Sequence, residues 1–224
     1  MSPQTTGFLL IDPAQNTNQD NYKLLLGSIV PRPIAFVSTQ SSAGQLNLAP
    51  FSFFNAVCSN PPTVLFCPMV RGTDGAKKDT LINIEETGEY VVNIVNEAIV
   101  ARMNQTSAEF PYGVDEFKES GLTPAPSAVV KPPRVLESPL SMECKLQQII
   151  PVGDGSAGSG FVVLGTVVRF HVREDLYSEG RINTTALQPV ARLAGSAYCP
   201  VREIFELERP VILKCKDNQE NNLS

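Results

Sequence analysis

The chain has 224 residues, 42% hydrophobic and only 18% charged, with a formal net charge of −5. This length supplies one full hydrophobic core, and the charged fraction falls below the roughly 25% usual for soluble proteins, so part of the surface is expected to be shared in a homodimer. With no overall positive field, nucleic acid and anionic membrane surfaces are excluded as partners, and any phosphate must be held locally.

Met1 to Asp20 contains no basic region, and its apolar run, Phe8 to Ile11, is too short for a secretory core or a membrane span. A cytoplasmic location is expected. Ile34–Val37, Phe51–Val57 and Val64–Phe66 are β-branched or aromatic runs that read as strands. Ser41 to Gln45 suits a hairpin turn, and Asn60-Pro61-Pro62 marks the next boundary. Connections this short favour antiparallel pairing.

A helix is predicted over about Asp79 to Glu86, capped by Asp79 or Thr80 and stopped by Gly88. A strand, Tyr90–Val95, follows, then a helix from Asn96 with Ile99, Val100 and Met103 on one face. Five prolines between residues 108 and 138 predict an extended surface segment without regular structure. Strands resume with Leu140, Met142, Cys144 and Leu146 in alternation, and again over Phe161–Val172. No internal repeat or linker is evident, so a single domain is expected, with residues 1–20 as an N-terminal arm and 205–224 as a tail.

Several chemistries are set aside. Gly153 to Gly158 matches the glycine pattern of dinucleotide-binding turns, but a strand follows it instead of a helix, so a hairpin loop is expected. The five cysteines lack a Cys-x-x-Cys pair and read as reduced and mostly buried, and a single histidine, His171, rules out a multi-histidine metal site. No metal is expected. No nucleophile elbow is present to suggest a Ser-His-Asp triad.

Two strand-like stretches are unusual. Val30 to Thr39 brackets Arg32 with prolines and ends on two hydroxyls, and Asn47 to Asn55 interrupts a core-like strand with Pro50 and polar side chains. Such strands can offer free backbone amides to a ligand. A third stretch, Arg71 to Thr80, gathers three cations and hydroxyls before a helix start, where an anion is favoured. It reads either as a phosphate cradle or as an ordinary cap at Asp79 beside solvated lysines, and caps are the commoner use.

In Gly27 to Ala35, Asn47 to Asn55, Asn60-Pro61-Pro62, Lys78-Asp79-Thr80-Leu81 and Glu89 to Asn93, the chain resembles the flavin reductase-like proteins. These are FMN-binding split barrels that include flavoredoxins and the reductase components of two-component monooxygenases. Asp115-Glu116-Phe117 with Gly121-Leu122, Lys131 to Arg134 and Pro189 to Leu193 extend the match over about residues 22 to 200.

The resemblance implies a mostly β fold, an antiparallel Greek-key split barrel with a few short helices. It places the flavin ring of FMN along Pro33, Ile34 and Ala35 and along Asn47, Leu48, Ala49, Pro50 and Ser52. Ser38 and Thr39 would serve the ribityl chain or phosphate, Lys78 and Thr80 the phosphate, and Arg192 and Tyr198 the cofactor rim. His171 resembles a histidine set beside the nicotinamide in some members, or is an ordinary strand-end histidine.

The implied activity is NAD(P)H-dependent flavin reduction, with a flavin-dependent monooxygenase or another redox protein as partner and the flavin near a dimer boundary. Such chemistry needs few catalytic side chains, because the flavin accepts the hydride and the protein positions it. A flavoredoxin-like electron carrier and a flavin-free β-barrel interaction module are the alternatives.

Overall fold

The computed structural model describes residues 7–210. Helix α1 (Asn18–Ser28), for which the sequence gives no periodic signal, begins inside the expected N-terminal arm. Thr17 caps it by accepting from the Asp20 amide at 3.1 Å, and none of its residues is buried. With no buried face, it leaves no apolar stripe to read.

Strands β1 (Ala35–Gln40) and β2 (Leu46–Phe51) form the first hairpin. Its turn is closed by the Ser41 amide donating to the Gln45 carbonyl at 2.8 Å, with Gly44 at a φ of 87° that favours glycine. The expected strand over Phe51–Val57 is instead the end of β2, a bend at Ser52 and Phe53, and a separate strand β3 (Phe54–Ser59). The chain must turn there because β3 pairs with β4 (Pro62–Phe66) at the far end of the sheet.

Helix α2 (Asp79–Thr87) packs Leu81 and Ile84 onto the core and stops at Gly88, whose φ of 70° is left-handed, as expected from the sequence. Its N-cap is Lys78, not Asp79 or Thr80, and no side chain bonds the free amides. Strand β5 (Glu89–Ile94) follows, then α3 (Val100–Gln105). That helix starts four residues later than expected, since Asn96 is held in a bridge with Pro189 while its carbonyl accepts from Ile99 and Val100. Ile99 and Met103 are buried as the pattern implies.

The proline-rich segment is far more ordered than its composition suggests. It contains α4 (Glu116–Ser120), capped by Asp115 and ended by Gly121, and a short ladder between β6 (Pro124–Ala125) and β7 (Arg134–Val135). Phe117, Leu122 and Val135 are buried in a second core with Phe36 and Leu48, so this segment covers the barrel wall. Apolar side chains between the prolines are what fix it.

Strands β8 (Leu140–Val152) and β9 (Gly160–Val172) form a long hairpin whose loop contains Gly153 to Gly158, in keeping with the hairpin reading of that motif. After β9 come the pair β10 (Tyr177–Ser178) and β11 (Arg181–Ile182), helix α5 (Thr184–Leu187), and the pair β12 (Val190–Arg192) and β13 (Tyr198–Pro200).

Seven strands form one antiparallel sheet in the order β2-β1-β5-β8-β9-β4-β3. The sheet curls around Val37, Phe51, Phe66, Tyr90 and Val163, and Phe51 on β2 lies 5.0 Å in ring centroid from Phe66 near the other end of the order. The architecture is therefore a mostly β, antiparallel barrel with short helices. Of the four cysteines in the described residues only Cys144 is buried, Cys58 is exposed, and Cys67 and Cys199 are half-buried, so the expectation of mostly buried cysteines fails. Cys215 lies outside the described residues. No helix of the described residues is long and apolar enough to cross a membrane.

Candidate functional site

A cavity of about 510 Å³, counted with its open mouth, lies between β2, the start of α2, the segment 106–110 and α4. Asn47, Ala49 and Pro50 form one wall, Lys78 and Thr80 another, and Arg71 and Glu116 also line it.

The wall behind Asn47 is a buried amide–hydroxyl network. Asn47 donates to Thr80 Oγ1 at 2.8 Å and to Thr39 Oγ1 at 3.2 Å, and Asn83 on α2 donates to Thr39 at 3.0 Å. These bonds span β1, β2 and α2, so they fix the Thr80 hydroxyl at the cavity edge. Beside it, the first turn of α2 has no side-chain cap. Its amides and dipole therefore favour an anion.

The charges are unevenly paired. Lys78 makes no ion pair among the described residues, whereas Lys77 is engaged by Glu85 at 2.6 Å. Arg71 Nε is buried without a hydrogen-bond partner; Asp74 Oδ1, 3.4 Å from Nε, and Asp79 Oδ1, 4.0 Å from Nη1, contribute charge but not hydrogen-bond geometry. An orphaned guanidinium donor beside an unpaired ammonium is a fit for a phosphate monoester, and these are the residues that would hold one.

Glu116 is the opposite case. It is buried, and its Oε2 accepts the Leu48 amide at 2.9 Å, which ties α4 to β2. Burial pushes its carboxyl up, the Leu48 bond opposes this, nearby Asp79 and Asp115 add to the rise, and the net value is about 7.

Of the residues expected at a flavin site, Asn47, Ala49, Pro50, Lys78 and Thr80 line this cavity, with Thr39 directly behind. The remainder lie elsewhere. The Leu48 and Ile34 side chains belong to the second core and Ala35 to the barrel interior, while Pro33 is exposed. Ser38 is fully buried, donating to the Pro133 carbonyl and accepting from Asn93 at 3.2 Å, so its hydroxyl is committed to protein. Ser52 accepts from the buried Arg32 guanidinium, which also holds the Leu26, Ile29 and Leu193 carbonyls. Arg192 stacks over the Tyr198 ring at 4.4 Å, and the Tyr198 hydroxyl reaches Asn104.

His171 stands outside the cavity. Its Nε2 lies 2.5 Å from Glu143 Oε1, and Glu143, fully buried, also accepts the amides of Ala128, Val129 and Val130 at 2.6 to 2.9 Å. Burial alone would raise this carboxyl, but His171 and the three amides prevail and hold it at about 2. Arg71 belongs to the stretch whose composition pointed to a phosphate, yet nothing local distinguishes it from a surface arginine. Glu116 falls in the Asp115-Glu116-Phe117 stretch that carries the resemblance, but neither it nor the segment 106–110 gives a sequence signal of a site role, because they reach the site only through tertiary packing.

The chain belongs to the family with the flavin reductase like domain, whose model matches residues 26–189. Nitrilotriacetate monooxygenase component B from Bacillus cereus is 44% identical, covers 91% of this chain and 100% of its own, and superposes with a TM-score of 0.86. The 2-nitrobenzoate 2-nitroreductase of Pseudomonas fluorescens is 33% identical over 92% of this chain and 99% of its own, with a TM-score of 0.82. A Shewanella frigidimarina protein with a split barrel domain, 24% identical over 91% of this chain and 100% of its own, shares the fold with a TM-score of 0.78. The fold is thus the split barrel, and family membership implies a flavin cofactor and an oxidoreductase role.

Proposed function

We propose that this protein is an FMN-binding, NAD(P)H-dependent flavin reductase that supplies reduced flavin to a partner oxygenase. The observation that carries the FMN reading is the convergence of Arg71, whose Nε lacks a hydrogen-bond partner, and Lys78, which makes no ion pair among the described residues, on the Thr80 hydroxyl at the start of α2, a set of donors suited to a phosphate. Riboflavin lacks that phosphate. From there Ala49 and Pro50 on β2 and Ser52 in the bend after it lead toward exposed Pro33, a path on which the flavin ring would lie.

Bound there, the flavin supplies the hydride acceptor; this chain's residues bind and orient it. The monooxygenase component related at 44% identity supports an oxygenase as recipient of the reduced flavin.

A homodimer is part of this reading. All eleven residues of α1 avoid burial, Leu25 and Ile29 are each about half exposed, and edge strand β3 exposes Asn55 to Ser59. Such a surface is what a two-fold partner would cover.

The test is to purify the protein, record its visible spectrum, identify released flavin by mass, and mix anaerobically with NADH or NADPH. Bleaching of bound FMN and release of reduced flavin are expected. A flavin that stays bound and is reduced only by a protein donor would favour an electron carrier, and a colourless protein that binds no flavin would leave an interaction module.

A further inference from the structure

Glu116 is a buried carboxyl facing the same cavity as Arg71, Lys78 and Thr80, and among the described residues its one well-formed tie to another element is the Leu48 amide of β2. We infer that Glu116 takes up a proton when the flavin phosphate enters the cavity, so that phosphate-ester binding is coupled to proton uptake at this side chain. The inference rests on the proposed phosphate position. Glu116 is a positioning residue for the phosphate end of the ligand and takes no part in hydride transfer.

Charge and geometry support it. A phosphate dianion and a buried carboxylate sharing one cavity repel, whereas a neutral carboxyl removes that repulsion and can donate a hydrogen bond. The groups facing Glu116 are Lys78 and Asp79 at the start of α2, Arg71 from the loop after β4, and Glu109 from the neighbouring segment. On its own helix Asp115 is paired with Lys118 at 3.2 Å, Arg102 of α3 is taken by Glu137 at 3.2 Å, and β2 carries no titratable side chain. The carboxyl titrates at about 7 before a ligand adds its charge, so the proton is within reach of neutral pH.

The sign is fixed. Binding the dianion raises the Glu116 pKa further, so FMN affinity falls by up to about tenfold per pH unit above about 7 and levels off below it. The second ionisation of a phosphate monoester, near 6, is about nine-tenths complete at pH 7 and works in the opposite sense below it.

The test measures binding of FMN and riboflavin from pH 6.5 to 8.5, with calorimetry at pH 8 in two buffers of different ionisation enthalpy. Expected for the wild type are FMN binding that weakens with pH, proton uptake approaching one per FMN, and neither effect for riboflavin. Glu116→Gln, which keeps an acceptor for the Leu48 amide, is expected to retain affinity at low pH and lose the slope. FMN binding in the wild type without proton uptake overturns the inference and needs no variant that must fold; so does an unchanged slope in Glu116→Gln. If FMN still outbinds riboflavin and depends on Lys78, only the role of Glu116 has failed. If FMN and riboflavin bind alike and Lys78→Ala affects neither, the phosphate placement has failed as well.

Discussion

The hydroxyl of Tyr90 occupies the space that a Cβ on Gly165 would need. Tyr90 is fully buried on β5, its hydroxyl makes no well-formed hydrogen bond among the described residues and has only the Cys144 thiol close by, and the nearest atom to an ideal Cβ at Gly165 is that oxygen. Close approach of a large side chain, not a turn, is the reason for glycine in the middle of β9.

Gly165→Ala is therefore expected to destabilise the fold by about 1–3 kcal/mol through overpacking. Tyr90→Phe, which removes an unsatisfied buried hydroxyl, is expected to be neutral or mildly stabilising. Urea midpoints for the two single variants and the double variant check this. The ring carbon Cζ would still lie 2.7 Å from the new Cβ, so the double variant is expected to recover only part of the Gly165→Ala loss, and no recovery would show that the hydroxyl is not what crowds that position.

Lys78→Ala combined with Thr80→Ala, or Arg71→Ala alone, is expected to weaken FMN binding much more than riboflavin binding. Each lost hydrogen bond to a charged group is worth about 1.5–3 kcal/mol, which is roughly tenfold or more in Kd per contact. Fluorescence quenching titrations with both ligands provide the comparison, and equal losses would move the phosphate elsewhere.

Glu143 sets an acid limb of stability. Its folded-state pKa of about 2 lies below the unfolded value of roughly 4.3, so its stabilisation is complete above that unfolded value and disappears as pH falls toward 2. The window is worth on the order of 2–3 kcal/mol. Denaturation curves between pH 6 and 2 should show this loss in the wild type and a flatter profile in Glu143→Gln, whose stability is lower throughout.

His171→Ala is expected to keep its flavin and to speed amide hydrogen exchange at Ala128 to Val130, because His171 braces the carboxylate that anchors those amides. Stopped-flow reduction by NADH and NADPH should retain the wild-type rate and KM. A raised KM with unchanged exchange would instead return His171 to the nicotinamide.

Light scattering at micromolar concentration is expected to give twice the chain mass. Substituting Leu25 on the exposed face of α1 and Ile29 just after it with charged residues should shift the population toward monomer and loosen flavin binding together. A monomeric wild type with flavin bound would exclude the dimer.

The elements whose signal is local are legible in the residues themselves. Alternation in β8, the hairpin glycine at Gly44, the left-handed stop at Gly88 and the strand after Gly158 each depend on residues a few positions apart. The cation-rich stretch from Arg71 to Thr80 was legible in the same way. Only the tertiary fold settles that, among the described residues, Lys78 is the one of those cations with no ion pair, and that Ser38 is committed to the Pro133 carbonyl and Asn93. It also decided that Glu116 is buried against an amide 68 residues away and that His171 is claimed by Glu143, 28 residues distant. Desolvation and partner geometry set the chemistry of a charged group, and both depend on which distant segments fold over it, which no local pattern encodes.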